Sequence, residues 1–335
     1  MNTTDTSEEP RYTPEWLELR EGADAAARAT ESLDPLRRHL RQLAKHPAER
    51  STLGSVQRPA EGSAQHSPQG PAQGSAQHPT QGPVQHPAQG SPQNTPLLIR
   101  DLGCGTGSMG RWLAPRLDGP QHWILHDTDP ALLDLAVAQM PAQAADGSPV
   151  TVATEQGDIA GLTAADLAGT SLVTASALLD LLTRDEVDAL ATACAQAGCA
   201  ALFALSVAGL VEIAPPDPLD ATIAASFDAH QRRTERGRRL LGPDAVTATE
   251  EAFARHDATV FTYAAPWRLA AAESVLTAQW LRGWVGAARE QRPDLAPRAH
   301  AYLRRRLAEA AARELRVVVH HHDLLALPRP TGETS

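Results

Sequence analysis

Leu97-Leu-Ile-Arg-Asp-Leu-Gly-Cys-Gly-Thr-Gly-Ser-Met-Gly-Arg-Trp-Leu113 is the stretch of sequence that decides the fold. An apolar run ends on Asp101 and passes through three alternating glycines into a helical pattern, which predicts a strand, a glycine loop and the start of a helix. Glycine tolerates positive φ and lets the backbone approach a ligand, and the first N–H groups of the next helix are free donors. The loop therefore predicts a site for a polar ligand.

Two nucleotide-binding patterns overlap in this stretch. A G-x-G-x-x-G begins at Gly105, which is the dinucleotide fingerprint, and a G-x-G-x-G begins at Gly103 directly behind Asp101. The dinucleotide pattern places its glycines immediately after the strand, so the strand would have to continue to Cys104. With Asp101 as its first residue, Asp-Leu-Gly-Cys-Gly-Thr-Gly resembles motif I of the class I S-adenosylmethionine-dependent methyltransferases without a gap.

The resemblance extends over about residues 97–206 and implies a fold, an activity and a cofactor. The implied fold is an α/β Rossmann-like doubly wound sheet of seven strands, mostly parallel with an antiparallel last strand. The implied cofactor is S-adenosyl-L-methionine. The positions of motif I that the resemblance assigns to cofactor binding are Asp101, Gly103, Cys104, Gly105 and Gly107.

Two further acids follow predicted strands. The apolar segment 122–127 ends on Asp127, at the carboxyl edge of the sheet beside the glycine loop. A carboxylate there can accept hydrogen bonds from both hydroxyls of a ribose. The adjacent Thr128 is assigned to the same site, whereas Asp129 precedes a proline and is predicted to cap the next helix. After a third strand at 150–153, the resemblance places a Gly-Asp pair at the adenine, with Asp158 accepting from its amine and Ile159 against the base.

The fourth and fifth strands are predicted at 171–176 and 199–206, and residues at their ends are expected to face the substrate. Ser176, at the end of the fourth strand, is assigned to the cofactor. Asp180 follows it and either orients or deprotonates a nucleophile, or serves as a helix cap or salt-bridge acid.

A helix predicted from Ala221 continues through His230 into five arginines between 232 and 239. These arginines either form a solvated helix face or meet an anionic group of the substrate, and His230 is the second candidate base.

Composition divides the rest of the chain. Residues 1–46 are predicted to form a helical extension, which either packs on the main domain or acts as a lid over the substrate. Residues 47–96 are rich in Gln, Pro, Gly, Ser and His, with almost no large apolar residue, and are predicted to be a disordered linker. The methyltransferase domain is expected at 97–328, with helical insertions at about 215–245 and 270–314, and a tail at 329–335.

Charge and composition exclude several classes of partner. The net charge of −10 argues against nucleic acid, and no apolar run approaches the ~20 residues that a membrane span needs. Three cysteines without paired spacing indicate a reducing compartment, so a cytoplasmic protein is expected. The run His320-His-His322 resembles a metal cluster, but strand alternation sends the middle side chain to the opposite face, and no metal is expected.

The sequence therefore predicts a methyltransferase that uses S-adenosylmethionine and acts on a small-molecule acceptor. Two alternatives remain open at this point. One is a nicotinamide-dependent oxidoreductase that uses the fingerprint beginning at Gly105. The other is a cofactor-binding module without activity that serves as an assembly partner.

Overall fold

The computed structural model describes residues 13–45 and 95–329. Most of the segment 47–96 predicted to be a linker lies outside these residues, as does most of the predicted tail. The described strands are β1 (Leu97–Leu102), β2 (Gln121–Asp127), β3 (Val150–Gln156), β4 (Leu172–Ser176), β5 (Ala200–Ala214), β6 (Thr234–Glu235), β7 (Arg238–Arg239), β8 (Thr259–Ala264), β9 (Trp267–Leu269) and β10 (Arg316–Leu327).

Helices cover both faces of the sheet, and some of them pack on its extension at one end. They are α1 (Pro14–Ala27), α2 (Leu33–Lys45), α3 (Ser108–Leu113), α4 (Pro130–Gln139), α5 (Arg184–Ala197), α6 (Asp220–Gln231), α7 (Ala245–Ala254), α8 (Ser274–Gln291) and α9 (Ala296–Ala311). None of the helices in the described part of the chain is long and apolar enough to cross a membrane.

The strand order is β3-β2-β1-β4-β5-β10-β8, and β9 pairs with β10 beside that path. The first five strands run parallel, and β10 is antiparallel to its neighbours β5 and β8. The predicted doubly wound sheet is confirmed, but its strand count of seven is wrong because the described sheet has eight strands. The additional strand is β9. Its three residues are too few to show the alternation of a strand, so the sequence did not distinguish it from the helices that follow.

The long strands β5 and β10 carry the sheet beyond the end of its parallel part. Ser176, the last residue of β4, pairs with Ala204, so the second half of β5 extends past β4 and pairs there with the first half of β10. An apolar cluster that includes Trp267, Trp284 and Tyr302 forms on this extension, between β9, β10 and helices α6, α8 and α9. Trp280 and Trp284 stack within this cluster, with their ring centroids 4.9 Å apart.

The predicted helix through the arginine-rich segment is wrong in its second half. Helix α6 ends at Gln231, and β6 and β7 form an antiparallel hairpin around Arg236 and Gly237. Both turn residues have positive φ, 50° and 81°, as a two-residue type I′ hairpin turn requires. The sequence analysis continued the helix into the arginines, whereas Gly237 permits the positive φ that the second turn position needs.

The N-terminal helices pack on the domain, as one of the two interpretations of the sequence expected. Thr13 caps α1 by accepting from the N–H of Trp16. On α2, Leu36 and Leu40 are buried in the core beside β1 and α3. Helix α1 lies across the carboxyl edge of the sheet, so its placement bears directly on the site described next.

Candidate cofactor site

The glycine loop joins β1 to α3 at the carboxyl edge of the sheet. Strand β1 ends at Leu102, two residues before Cys104, so the chain does not place its glycines where the dinucleotide pattern needs them. Gly105 has φ +54°, and a Cβ on it would lie 3.2 Å from Leu17 Cδ1 of α1. The N–H of Cys104 donates to the carbonyl of His126 at 3.0 Å and ties the loop to β2. The loop thus has the register expected for a motif that starts at Asp101.

Asp101 lies at the end of β1 and has no solvent exposure. Its Oδ1 accepts a hydrogen bond of 2.7 Å from Thr174 Oγ1, while its Oδ2 is buried without a partner among the residues that the structure describes. Burial raises the pKa of Asp101 to about 7, against the opposing effects of the Thr174 hydrogen bond and the Arg28 charge. A buried acceptor without a donor is costly, so Oδ2 is suited to a cationic ligand group.

Asp127 ends β2 and faces the same loop. Its Oδ2 accepts from the N–H of Gly105 at 2.8 Å, and its Oδ1 accepts from the N–H of Asp129 at 3.1 Å. These two bonds fix the carboxylate beside the glycine loop. Asp129 itself accepts from the N–H of Ala131 at the start of α4, which confirms its predicted capping role.

Asp158 and Ile159 follow β3. The Asp158 side chain is exposed and accepts from the N–H of Ala160 at 3.0 Å, which starts a short 3₁₀ turn. Ile159 is half-buried in that turn. An acid and an apolar side chain therefore stand together at the outer end of the site, one strand beyond Asp127.

A cavity of about 390 Å³ connects these groups. Such a volume lies within the range usual for small-molecule sites. The predicted site residues that line it are Asp101, Gly103, Cys104, Gly105, Asp127, Thr128, Asp158, Ile159 and Ser176.

Three residues predicted for the site do not line the cavity. Gly107 caps α3 with φ +83°, and a Cβ there would lie 3.1 Å from the Cβ of Ala136 on α4, so this glycine serves helix packing. Asp180 lies in the 3₁₀ turn Leu179–Leu181, among neighbours that do line the cavity. His230 lies on α6, with Nε2 3.8 Å from Glu290 Oε2.

The structure therefore does not bring His230 to the cavity, and the expectation that it acts as a base is corrected. That expectation rested on a short separation from the sheet edge. Helix α6 instead packs against α8 on the extension of the sheet.

Other residues that line the cavity were not among the predicted cofactor-binding or catalytic residues. Leu17, Arg20 and Asp24 come from α1, and Arg238 comes from the hairpin. Arg20 and Asp24 pair side by side at 2.9 Å, and Asp24 also accepts from Trp267 Nε1 at 2.9 Å. The available signal was the spacing of Arg20 and Asp24, which lie four residues apart and therefore on one face of α1.

The arginines between 232 and 239 are largely neutralised by nearby acids. Arg232 pairs with Asp244 and Arg238 pairs with Glu186, each at 2.7 Å. Arg233 pairs with Glu235 at 2.8 Å. Arg238 also donates to the carbonyl of Leu181 at 3.2 Å, at the edge of the cavity. The local excess of positive charge therefore belongs mainly to ion pairs.

The histidine run 320–322 lies inside β10 and not at its end. His321 is buried against Trp267, with ring centroids 5.4 Å apart, and burial lowers its pKa to about 3. Within residues 13–45 and 95–329, no group of three or more side chains is placed to hold a metal ion.

Comparison with known proteins agrees with this geometry. Residues 99–197, from β1 through α5, match the family described as a methyltransferase domain. No sequence among the curated proteins matches the chain.

Several solved structures are similar to the chain at low sequence identity. A cyclopropane synthase, MmaA2 from Mycobacterium tuberculosis, is 12% identical over 70% of this chain and 79% of its own, with a TM-score of 0.37. A putative sarcosine dimethylglycine methyltransferase from Galdieria sulphuraria is 11% identical over 93% and 97%, with a TM-score of 0.37. A methyltransferase from Thiobacillus denitrificans, solved with S-adenosyl-L-homocysteine, is 16% identical over 70% and 86%, with a TM-score of 0.35.

Residues 99–197 thus match a methyltransferase domain, and the glycine loop of the site lies within the matched residues. The residues present fit S-adenosylmethionine, the cofactor that the resemblance of the glycine motif implies. The cavity carries a buried acceptor without a donor at Asp101, a carboxylate fixed beside the glycine loop at Asp127 and an acid next to an apolar side chain at 158–159.

Proposed function

We propose that the chain transfers the methyl group of S-adenosylmethionine to a small-molecule acceptor that reaches the cavity beside α1. The observation that carries this proposal is the convergence of the glycine loop with Asp101, Asp127 and Asp158 on one cavity. When bound, S-adenosylmethionine supplies a methyl group on a sulfonium, which is electrophilic without further activation.

The residues of the chain are assigned to binding and orientation. Asp127 would accept from the ribose hydroxyls, Asp158 from the adenine amine, and Ile159 would pack on the base. The predicted residues Gly103, Cys104, Gly105, Thr128 and Ser176 also line the cavity. Methyl transfer is an in-line displacement, so alignment and exclusion of water account for most of what the protein must contribute.

A small acceptor is favoured by the roof that α1 forms over the cavity. Leu17, Arg20 and Asp24 close that side, and a bulky macromolecule would have to displace them. The net charge of −10 adds an unfavourable interaction with nucleic-acid phosphates.

Calorimetry with S-adenosylhomocysteine and with NADH tests the cofactor assignment. The wild-type chain is expected to bind S-adenosylhomocysteine and to give no heat with NADH. Asp127→Asn should lower the affinity for S-adenosylhomocysteine at least tenfold, because it removes the charge of the side chain assigned to the ribose. Asp118→Asn, a change at an exposed acid outside the cavity, is the matched control and should bind as the wild type does. Absence of heat with S-adenosylhomocysteine would refute the proposal.

Labelled transfer tests the acceptor class and separates an enzyme from a binding module without activity. The chain is incubated with S-[methyl-³H]adenosylmethionine and a panel of hydroxyl, amine, thiol and carboxylate compounds, and in parallel with protein and RNA. Label is expected in a small compound. Label in protein or RNA, or cofactor binding without transfer to any acceptor, contradicts the proposal.

Asp180 stays the proposed residue that orients or deprotonates the acceptor, through the turn whose neighbours line the cavity. Asp180→Asn is expected to lower transfer to the acceptor found above while leaving the affinity for S-adenosylhomocysteine within about twofold. Equal losses of both would assign Asp180 to the structure of the turn.

A further inference from the structure

Arg20 on α1 lines the cavity, and its guanidinium is held in place by three side chains. Its Nε and Nη2 donate to Asp24 at 2.9 and 3.1 Å. The guanidinium also lies over two indole rings, 5.0 Å from the ring centroid of Trp267 and 6.0 Å from that of Trp16. Only 12% of the Arg20 side chain is exposed. These contacts fix the direction of the guanidinium before a ligand binds.

The remaining nitrogen of this guanidinium, Nη1, is free for a ligand. It donates to no acceptor in the described part of the chain. A guanidinium has donors along two edges, and Asp24 takes one of them. Asp24 also accepts from Trp267 Nε1 at 2.9 Å, so its charge is stabilised by a third donor. A ligand carboxylate can therefore form a charge-assisted hydrogen bond with Nη1 while the Arg20–Asp24 pair stays intact.

Two leucines lie over the glycine loop beside this pair. A Cβ on Gly105 would lie 3.2 Å from Leu17 Cδ1, and a Cβ on Gly103 would lie 3.1 Å from Leu178 Cδ1. Leu17 precedes Arg20 by three residues, so both are on one face of α1, and Leu178 follows β4. Both leucines line the cavity. An apolar space with one directed guanidinium fits an apolar molecule that carries an anionic group.

The cavity offers few groups that could remove a proton from an acceptor. Among the residues that the structure describes, no His, Lys, Tyr or Glu lines it. Asp24, the acid on the α1 side, already accepts three hydrogen bonds. Burial raises the pKa of the Cys104 thiol well above its ordinary value, so no thiolate forms there.

The other acids that line the cavity have different partners. Asp127, Asp129 and Asp158 each accept from backbone N–H groups, after β2 and β3. Asp101 has no solvent exposure, and its Oδ2 is suited to a cationic ligand group. An acceptor that is already ionised at neutral pH, as a carboxylate is, needs none of these groups as a base.

We propose that the acceptor is a carboxylate on an apolar small molecule, bound by Arg20 Nη1 and methylated on oxygen. This inference rests on the proposed function and names its acceptor class. One carboxylate oxygen accepts from Nη1, and the other forms a bond to the methyl carbon. The bond between that carbon and sulfur breaks with its electron pair going to sulfur, so the products are a methyl ester and S-adenosylhomocysteine. No proton is transferred, so of the two roles proposed for Asp180 this leaves orientation of the acceptor.

Matched acids, amides and alcohols test the acceptor class. The full chain is incubated with S-[methyl-³H]adenosylmethionine and monocarboxylates, from acetate to decanoate and from benzoate to phenylbutyrate, or with the primary amide or alcohol of each. Label is expected in acids alone, and mild base should release it as volatile methanol, because methyl esters hydrolyse whereas methyl ethers and methylamines do not. Label in an amide or an alcohol, label that resists base, or no label in any acid overturns the proposal.

The pH dependence of the rate gives a second readout. At saturating cofactor, the rate of transfer to the labelled acid should stay within about twofold between pH 6.5 and pH 9, since no proton leaves the acceptor. A rate that rises tenfold per pH unit over part of this range would show that a proton must be removed, and would contradict methylation of a carboxylate.

Arg20→Lys tests the guanidinium. Lysine keeps a positive charge beside Asp24, but its single ammonium lacks the planar fork that can serve two carboxylates. The KM for the labelled acid is expected to rise about tenfold, while the affinity for S-adenosylhomocysteine stays within about twofold by calorimetry. Arg116→Lys is the matched control, because Arg116 also lies over a tryptophan, 4.9 Å from the ring centroid of Trp112, but does not line the cavity. It should change neither quantity.

A second variant protects the test against misfolding. Arg20→Met combined with Asp24→Asn removes both charges together, so no unpaired buried charge is left. It should raise the KM for the acid by at least as much as Arg20→Lys and bind S-adenosylhomocysteine within about twofold. Equal losses for the acid and for S-adenosylhomocysteine in both variants, or no change in KM, overturn the role of Arg20. Failure of the wild-type chain to bind S-adenosylhomocysteine refutes the proposed function itself, whereas normal binding with label on another chemical group refutes only the carboxylate acceptor.

Discussion

At the scale of single residues, Asp101 links burial to ligand charge. Its carboxylate has no solvent exposure, keeps one oxygen without a partner and has its pKa raised to about 7 by burial. The groups that face it are the Thr174 hydroxyl and the charges of Arg28 and Asp127. A cationic ligand group beside Oδ2 favours the ionised form, so binding and ionisation of Asp101 are coupled.

This coupling predicts proton release on binding. At pH 6, below the pKa of about 7, the free protein holds a proton on Asp101, and the ammonium of S-adenosylhomocysteine should displace it. Affinity should therefore rise between pH 6 and pH 8. Calorimetry in two buffers of different ionisation enthalpy measures the protons released, and Asp101→Asn should remove this release. Proton uptake, or an affinity independent of pH, contradicts the assignment.

Substitution of Gly105 tests whether the backbone of the glycine loop must come close to the ligand. Gly105→Ala places a Cβ 3.2 Å from Leu17 Cδ1, at φ +54°. The change is expected to lower both the affinity for S-adenosylhomocysteine and the free energy of unfolding. Gly147→Ala imposes the same kind of backbone strain at φ +81° in open space, and is the control. Each change should cost about 1–2 kcal/mol of unfolding free energy in urea. Loss of affinity in both variants, or in neither, would contradict a role for the loop in binding.

At the scale of elements, the position of α1 depends on strand β10. Asp323 Oδ2 accepts from the N–H of Ala29 at 2.8 Å, directly after α1, and its Oδ1 accepts from the N–H of Leu205 in β5 at 2.7 Å. The carboxylate is 1% exposed, and burial raises its pKa to about 6. One side chain thus joins the end of the N-terminal helix to two central strands.

Removal of that side chain should be costly. Asp323→Ala leaves two buried N–H groups without an acceptor, and the unfolding free energy in urea is expected to fall by about 2–4 kcal/mol. Asp294→Ala breaks an exposed ion pair with Arg292 and should change it by less than about 1 kcal/mol. Similar small losses in both variants would show that the Asp323 contacts do not hold α1.

At the scale of the whole molecule, the matched domain is only part of the cofactor site. Leu17, Arg20 and Asp24 precede the match at 99–197, yet they line the cavity. Residues 13–28 also contact the glycine loop, β4 and β9. The extension built from β5, β10 and the late helices supports α1 from the other side, through the bond from Trp267 to Asp24.

Hydrogen exchange measures whether the N-terminal segment responds to the cofactor. Saturating S-adenosylhomocysteine is expected to slow amide exchange at 13–28 as well as at 101–108, because both contact the proposed ligand position. Helix α9, on the far side of the extension, should not change and serves as an internal control. Protection confined to residues 97–182 would contradict the inclusion of α1 in the site.

The sequence by itself determined the parallel sheet and the cofactor side of the cavity. Asp101 and Gly105 could be found from the glycine motif and Asp158 from the family resemblance, while Asp127 could be found because it ends a strand, and parallel strands bring their carboxyl ends to one edge. The tertiary structure alone decided that Arg28 meets Ser108 and Ser176, 80 and 148 residues away in sequence, and that His230 lies elsewhere. Local patterns fix which elements form, but contacts over such separations depend on how the elements pack, and packing is not a property of any one segment.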